Sequence, residues 1–187
     1  NERCQMDAIV QAKRVLEIFK EMSQIPRESG NEKGISDYIV NFAKNLGLEV
    51  HQDEIFNVVI KKAASPGYEN RPSIILQGHI DMVCVKDHDS NHDFSKDPIA
   101  NIIEGEWMHA DHTTLGADNG MGAAMMLALL EDENQQHGPM QLLFTTNEET
   151  GMDGAFAIKE GQVTGDYLLN LDTEVEGDFL VSCSGGS

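Results

Sequence analysis

The chain has 187 residues, 40% of them hydrophobic, which suits one globular domain with a sizeable core. Its 32 Asp and Glu against 13 Lys and Arg leave a net charge of −19, a field that repels phosphate backbones and anionic lipid and so argues against nucleic acid and membrane partners. No apolar run approaches the roughly 18–20 residues needed to span a bilayer, and the opening NERCQMDAIVQAK lacks the apolar core of a secretory signal.

Two amphipathic helices open the chain. Ile9, Val10, Val15, Leu16, Phe19 and Met22 fall near helical spacing, with Pro26 beyond the end. Ile35, Ile39, Phe42, Ala43 and Leu46 make a second stripe, closed by Gly47 as a residue able to take the left-handed C′ position. Short strands follow at 57–61 and 73–77, separated by the turn SPGYENRP. Residues 86–98 are polar and aperiodic and read as a surface loop, and 99–109 as a hairpin around Gly105. A helix over 119–131 comes next, then a strand at 141–146, a short helix at 152–159, and strands at 167–171 and 178–182. Strand and helix alternate through the second half, which argues for a layered α/β domain with a largely parallel sheet.

Cys4, Cys84 and Cys183 are odd in number and widely spaced, with no C-x-x-C pair. A disulfide framework is therefore not expected, and a reducing, cytoplasmic location is the simplest reading. Each cysteine reads as a small core residue rather than a nucleophile.

Four polar clusters fall at the ends of expected strands or the start of a helix. They are His79 and Asp81 after SIILQG, Asp118 before the 119–131 helix, Glu148 and Glu149 after QLLFTTN, and Asp172 after YLLNL. Ligands of open α/β sheets bind beyond the carboxyl ends of strands, so these groups can converge. One histidine with several carboxylates is a ligand set for Zn²⁺, Mn²⁺ or Co²⁺. So many acids in one pocket would repel one another unless cations neutralised them. Each residue also has a plainer reading. His79 could be a hydrogen-bonded core histidine, Asp118 a helix N-cap, Glu148-Glu149 a solvated turn, and Asp172 the start of a turn. The coincidence of four such residues at four element ends favours the site. Asp81 is placed to accept the second N–H of His79. In extended backbone, Glu148 and Glu149 would point opposite ways, one to a metal and one to a water-filled cleft as a general base. His88 and His92, spaced i, i+4 among aspartates, form a competing pair, but their segment does not read as a helix and adventitious surface binding is the expectation.

QGHIDMV, TTLGADNGMG, NEETGMDGA and LNLDTEVEG together resemble the dizinc exopeptidase superfamily, which includes carnosinases, bacterial aminopeptidases and acetylornithine deacetylase. NHDFSKDPI and GEWMHADHTTLGADNG are similar to its aminoacyl-histidine (Xaa-His) dipeptidase branch. The likeness runs from about residue 6 to the end and implies a zinc-exopeptidase-like fold, a mostly parallel mixed sheet flanked by helices. It also implies hydrolysis of carnosine-like dipeptides with two divalent ions, Zn²⁺ first and Mn²⁺ or Co²⁺ possible. His79 and Asp172 would bind one ion, Asp118 would bridge both, and Glu149 would bind the second. Glu148 would be the general base, with Asp81 orienting His79. A cis peptide at Asp118–Asn119 is implied too.

Two departures stand out. His112 occupies a position that is usually glycine in relatives, and reads as a turn residue rather than an extra ligand. The family's final histidine ligand and its lid domain, which contributes to substrate binding and dimer formation, lie beyond the Gly-Gly corresponding to Gly185-Gly186. The chain is thus expected to be the N-terminal part of the catalytic domain, inactive alone, from an enzyme that forms a homodimer and takes a small peptide substrate. The alternatives are a deacylase or aminopeptidase of the same superfamily, or a non-catalytic metal-binding domain. The presence of Glu148 counts against the last, because a domain without catalysis needs no base beside the metal.

Overall fold

The computed structural model of the chain describes residues 2–173, 175 and 177–182. Two helices lead: α1, Glu2–Ser23, and α2, Lys33–Asn45. Strands β1 (Glu49–Gln52), β2 (Val58–Lys62) and β3 (Ile74–His79) follow, then the hairpin β4 (Asn101–Glu104) and β5 (Trp107–Ala110). Helix α3 (Ala117–Glu131), β6 (Met140–Thr145), the short α4 (Glu148–Gly151) and α5 (Asp153–Ala157), and β7 (Tyr167–Asn170) complete the order.

The central sheet is mixed, in the order β1-β2-β6-β3-β7. Its β6-β3-β7 half is parallel, while β1-β2 and β2-β6 are antiparallel. The register sets His79 opposite Thr145 and Gln77 opposite Asn170. Three parallel strands therefore end side by side, and the residues that follow them share one edge of the sheet.

Helices α1, α2 and α3 cover one face. Ile18, Phe19 and Met22 of α1, Ile35, Ile39 and Ala43 of α2, and Met126, Leu127 and Leu130 of α3 pack on Val58, Ile60, Leu76, Leu142 and Phe144 of the sheet. Fully burying such a side chain contributes roughly 1.5–3 kcal/mol, so this layer dominates the stability. On the opposite face Val59, Ile75 and Leu143 form a smaller cluster, against which Ile158 and Val163 are the partly buried hydrophobics packed among the described residues. The apolar side chains of β7, Tyr167, Leu168 and Leu169, are exposed.

Most expected elements are present, including the left-handed Gly47 and the Gly105 hairpin turn. The differences have local causes. On α1, Ile18 is buried and Leu16 is exposed, so the buried stripe is turned from the one the spacing suggests; the side chains of Ile9 and Val10 lie outside the described residues. Strand β1 reads EVHQ, too polar and too short to show an alternating signal. Residues 178–182 form no strand, and Phe179, Leu180 and Val181 are exposed. Cys183 and Gly185-Gly186 lie outside the described residues. No described helix is long and apolar enough to cross a membrane.

Candidate metal centre

His79 closes β3 and is 1% exposed. Its Nε2 lies 3.0 Å from Asp118 Oδ1 and 3.9 Å from both Glu148 Oε2 and Asp172 Oδ2. Its Nδ1 faces Asp81 Oδ1 at 3.2 Å. The structure thus brings together all six expected residues from four separate segments. Two groups of potential ligand atoms form, each within 4.8 Å: His79 with Asp118 and Asp172, and His79 with Glu148 and Glu149. The donors are one imidazole and four carboxylates, open to solvent on the Asp118 side, which fits divalent cations such as Zn²⁺ or Mn²⁺. A cleft of about 530 Å³ adjoins them, lined in part by Gln77, Thr146, Glu148, Met152, Asn170 and Asp172.

Asp118 caps no helix with its side chain. The residue before α3 in the N-cap position is Gly116, and Asp118 itself has a non-helical ψ of 119° and a cis peptide to Asn119. Asn119 is nearly buried, and its Nδ2 donates to Leu171 O at 2.7 Å and to Asp172 Oδ1 at 2.6 Å. That tie fixes Asp172 against the start of α3. Gly122 permits the approach, since a Cβ there would lie 2.7 Å from Leu171 O.

Glu148 and Glu149 stand on the helical turn α4, not in extended backbone, and both side chains reach the His79 group. The turn is entered through Asn147 in the left-handed region, φ 53°, a conformation that asparagine tolerates and most residues do not. The opposed-face argument for the glutamates therefore does not apply, and their amides explain why. Asp81, fully buried, accepts the N–H of Glu148 at 3.1 Å and that of Glu149 at 3.2 Å, besides the Ser29 hydroxyl at 2.7 Å. Asp81 orients not only His79 but the whole glutamate turn.

Burial alone would raise the Asp81 carboxyl, but hydrogen bonds from His79, Ser29 and the two amides outweigh it and hold it at about 2. Burial would lower His79, yet the hydrogen bond and charge of Asp81, with Asp172 and Asp118, push it up to about 9. Burial raises Glu149; the charge of His79 opposes this, and Asp118 and Glu148 add to it. The linkage signs follow. Asp81 stabilises the fold above its ordinary 3.8, an effect lost as pH falls toward 2. Protonated His79 stabilises below 6.5, an effect lost as pH rises through 9. Thermal unfolding in chelator should therefore show stability declining between pH 6.5 and 9, a decline absent in His79→Ala. A metal competes with that proton, so saturating Zn²⁺ should flatten the decline. Identical profiles for the wild type and His79→Ala in chelator would contradict the pairing.

The other candidates separate from the centre. His112 takes a positive φ of 57° and bonds Asp87 Oδ2 at 2.7 Å on the surface, the behaviour of a turn residue. His88 is fully exposed beside Asp89, and His92 packs on Phe94. Among the described residues none of these three joins a group of three ligating side chains. Burial, then the charge of Glu28, pushes the half-buried Cys84 thiol up to about 11, the opposite of an activated nucleophile. The pattern reading missed Ser29 and Asn119, whose polar contacts are made across the fold. Only the D-N pair ahead of the glycine-rich helix start marked Asn119 in sequence.

The model of peptidase family M20/M25/M40 matches residues 75–183. The chain is 48% identical over 170 residues to the cytosol non-specific dipeptidase of Escherichia coli, an alignment covering 91% of this chain and 35% of that protein. It superposes on the crystal structure of aminoacylhistidine dipeptidase from Vibrio alginolyticus with a TM-score of 0.85 and 47% identity, over 88% of this chain and 34% of that one. A tripeptidase of Staphylococcus aureus gives a TM-score of 0.73 at 27% identity, over 87% of this chain and 44% of that one. The chain spans about a third of the length of the first two relatives.

Proposed function

Because the chain belongs to peptidase family M20/M25/M40, we propose that it supplies most of a dinuclear metal centre that hydrolyses dipeptides, Xaa-His peptides of the carnosine type among them. The observation that carries this reading is the meeting of His79, Asp118, Glu148, Glu149 and Asp172 at one sheet edge, with Asp81 behind them. The names of the E. coli and Vibrio relatives support the dipeptide class.

In this reading His79, Asp118 and Asp172 would hold one ion, and Asp118 and Glu149 would hold the second. Zn²⁺ suits the set, and Mn²⁺ or Co²⁺ could replace it. Such ions supply Lewis-acid polarisation of the scissile carbonyl and make a water easier to deprotonate. Glu148 takes that water's proton and delivers it to the leaving amine. Asp81 fixes the tautomer of His79 so that Nε2 presents its lone pair, and the amides it holds keep Glu148 and Glu149 aimed at the centre.

We place the chain as the N-terminal part of the catalytic domain of a longer, cytoplasmic and homodimeric enzyme. A further histidine ligand and a substrate-covering domain would come from the rest of that protein. The test is a substrate panel on the longer protein. Carnosine-like dipeptides should be cleaved and N-acyl amino acids spared, activity should vanish on dialysis against chelator, and added Zn²⁺, Mn²⁺ or Co²⁺ should restore it. The 187-residue chain alone should show none. Preferred turnover of N-acyl substrates would make the enzyme a deacylase on the same metal site, and full activity in chelator would end the metal reading.

A further inference from the structure

We propose that the turn joining α1 to α2, residues 27–32, is the frame that sets the spacing of the metal ligands, with Arg27 as its principal positioning residue. The proposal rests on the metal-centre reading above and concerns residues that contribute no ligand to it.

Arg27 is 2% exposed. One guanidinium nitrogen, Nη1, donates to the carbonyls of Ile80 and Asp81, each at 3.2 Å, and Nη2 donates to the carbonyl of Gly116 at 2.5 Å. The first two carbonyls directly follow His79. The third precedes Asp118 by two residues. A single rigid fork thus spans the two segments whose side chains meet at 3.0 Å in the His79–Asp118 contact. The backbone joins in, since Met82 N donates to Arg27 O at 3.2 Å. Gly116 leaves room for the fork; its φ is +73°, and a Cβ there would lie 2.5 Å from Nη2.

The rest of the turn reaches the other ligand segment. Ser29 donates its hydroxyl to Asp81 Oδ2. Glu32, 4% exposed, accepts the N–H of Gly30 at 2.9 Å and that of Asn147 at 3.0 Å through Oε1. Asn147 opens the turn that carries Glu148 and Glu149. Three residues of one six-residue turn, Arg27, Ser29 and Glu32, therefore bond to the 79–81, 116–118 and 147–149 segments. Asp172 is held separately, by Asn119.

Electrostatics give Arg27 a second role. Among the described residues it forms no ion pair with a carboxylate, yet burial lowers its guanidinium only to about 10, so it stays charged. A buried cation is costly unless opposite charge is near. Here the Asp81 and Asp118 carboxylates act on it from the ligand side. The same positive charge lowers the repulsion among the site's carboxylates.

The experiment is a Co²⁺ titration of the metal-free full-length protein, followed by visible absorption, which reports both affinity and coordination geometry. The variants are Arg27→Met, Arg27→Lys, Glu32→Gln and Ser29→Ala, with His79→Ala as control. Arg27→Met should weaken Co²⁺ binding roughly 10- to 100-fold and shift the absorption bands, with the far-UV circular dichroism unchanged. Arg27→Lys, which keeps the charge but not the fork, should recover part of the affinity but not the band positions. If Arg27→Met fails to fold, Glu32→Gln and Ser29→Ala decide, and each should shift the bands in the same sense. Wild-type affinity and spectrum in Arg27→Met, or in both of the other variants, would overturn the proposal. Equal Co²⁺ binding by the wild type and His79→Ala would instead sink the metal-site reading and this proposal with it.

Discussion

Replacing Glu148 by alanine in the full-length enzyme is expected to lower turnover by roughly 10²–10⁴-fold, the contribution of a positioned general base, and to leave the bound metal in place. Glu148 Oε2 lies 3.9 Å from His79 Nε2 and lines the adjoining cleft. A group there can reach a water without being needed to hold an ion. Glu149→Ala should behave differently. It removes a proposed ligand, so one equivalent of metal should be lost along with activity. Elemental analysis beside steady-state kinetics separates the two glutamates. Loss of metal from Glu148→Ala, or turnover near wild type, would reverse or remove the assignment.

Asp81→Ala is expected to cost about 3–5 kcal/mol of stability, the range for breaking a buried charged partnership, and to abolish tight metal binding. The substitution strips the acceptor from four donors at once: His79 Nδ1, the Ser29 hydroxyl and the amides of Glu148 and Glu149. Asp81 is fully buried and His79 nearly so, so the donors that face the lost carboxylate are left without their partner at a desolvated position. Asp81→Asn keeps the shape and one acceptor oxygen and should lose less. Denaturant midpoints of the metal-free proteins test the ranking. A loss below about 1 kcal/mol for Asp81→Ala would mean that solvent or a neighbouring group replaces the carboxylate.

The ligand set was legible because each member sits at a strand end or helix start, where a polar residue interrupts an apolar run. His79 after SIILQG and Asp172 after YLLNL carry that signal plainly. Parallel register then does what sequence position alone cannot show, aligning the ends of β3, β6 and β7. What escaped was contact made across the fold. Arg27, Ser29 and Glu32 lie in a polar stretch after Pro26 that looks like any surface turn, and nothing local marks Arg27 and Glu32 as buried. The helical turn at Glu148 was hidden for a related reason, since it is entered through a left-handed asparagine and held by Asp81 from 67 residues away. The strand expected at 178–182 rested on apolar composition alone, and in the structure that segment pairs with nothing among the described residues.

The place of β6 in the sheet has a consequence for how the protein folds. β6 lies between β2 and β3 although both precede it in the chain. Until it arrives, β1 and β2 can form a hairpin, but β3 has no partner on that side. Its docking closes a long loop, a step of high contact order that is slow because chain entropy is lost before the pairing compensates for it. The same step carries Glu148 and Glu149 to His79. The pairing of β6 with β3 and the meeting of the two glutamates with His79 are therefore one event along the folding coordinate. A divalent ion that favours the assembled cluster would act as a thermodynamic latch on the most demanding step of the fold.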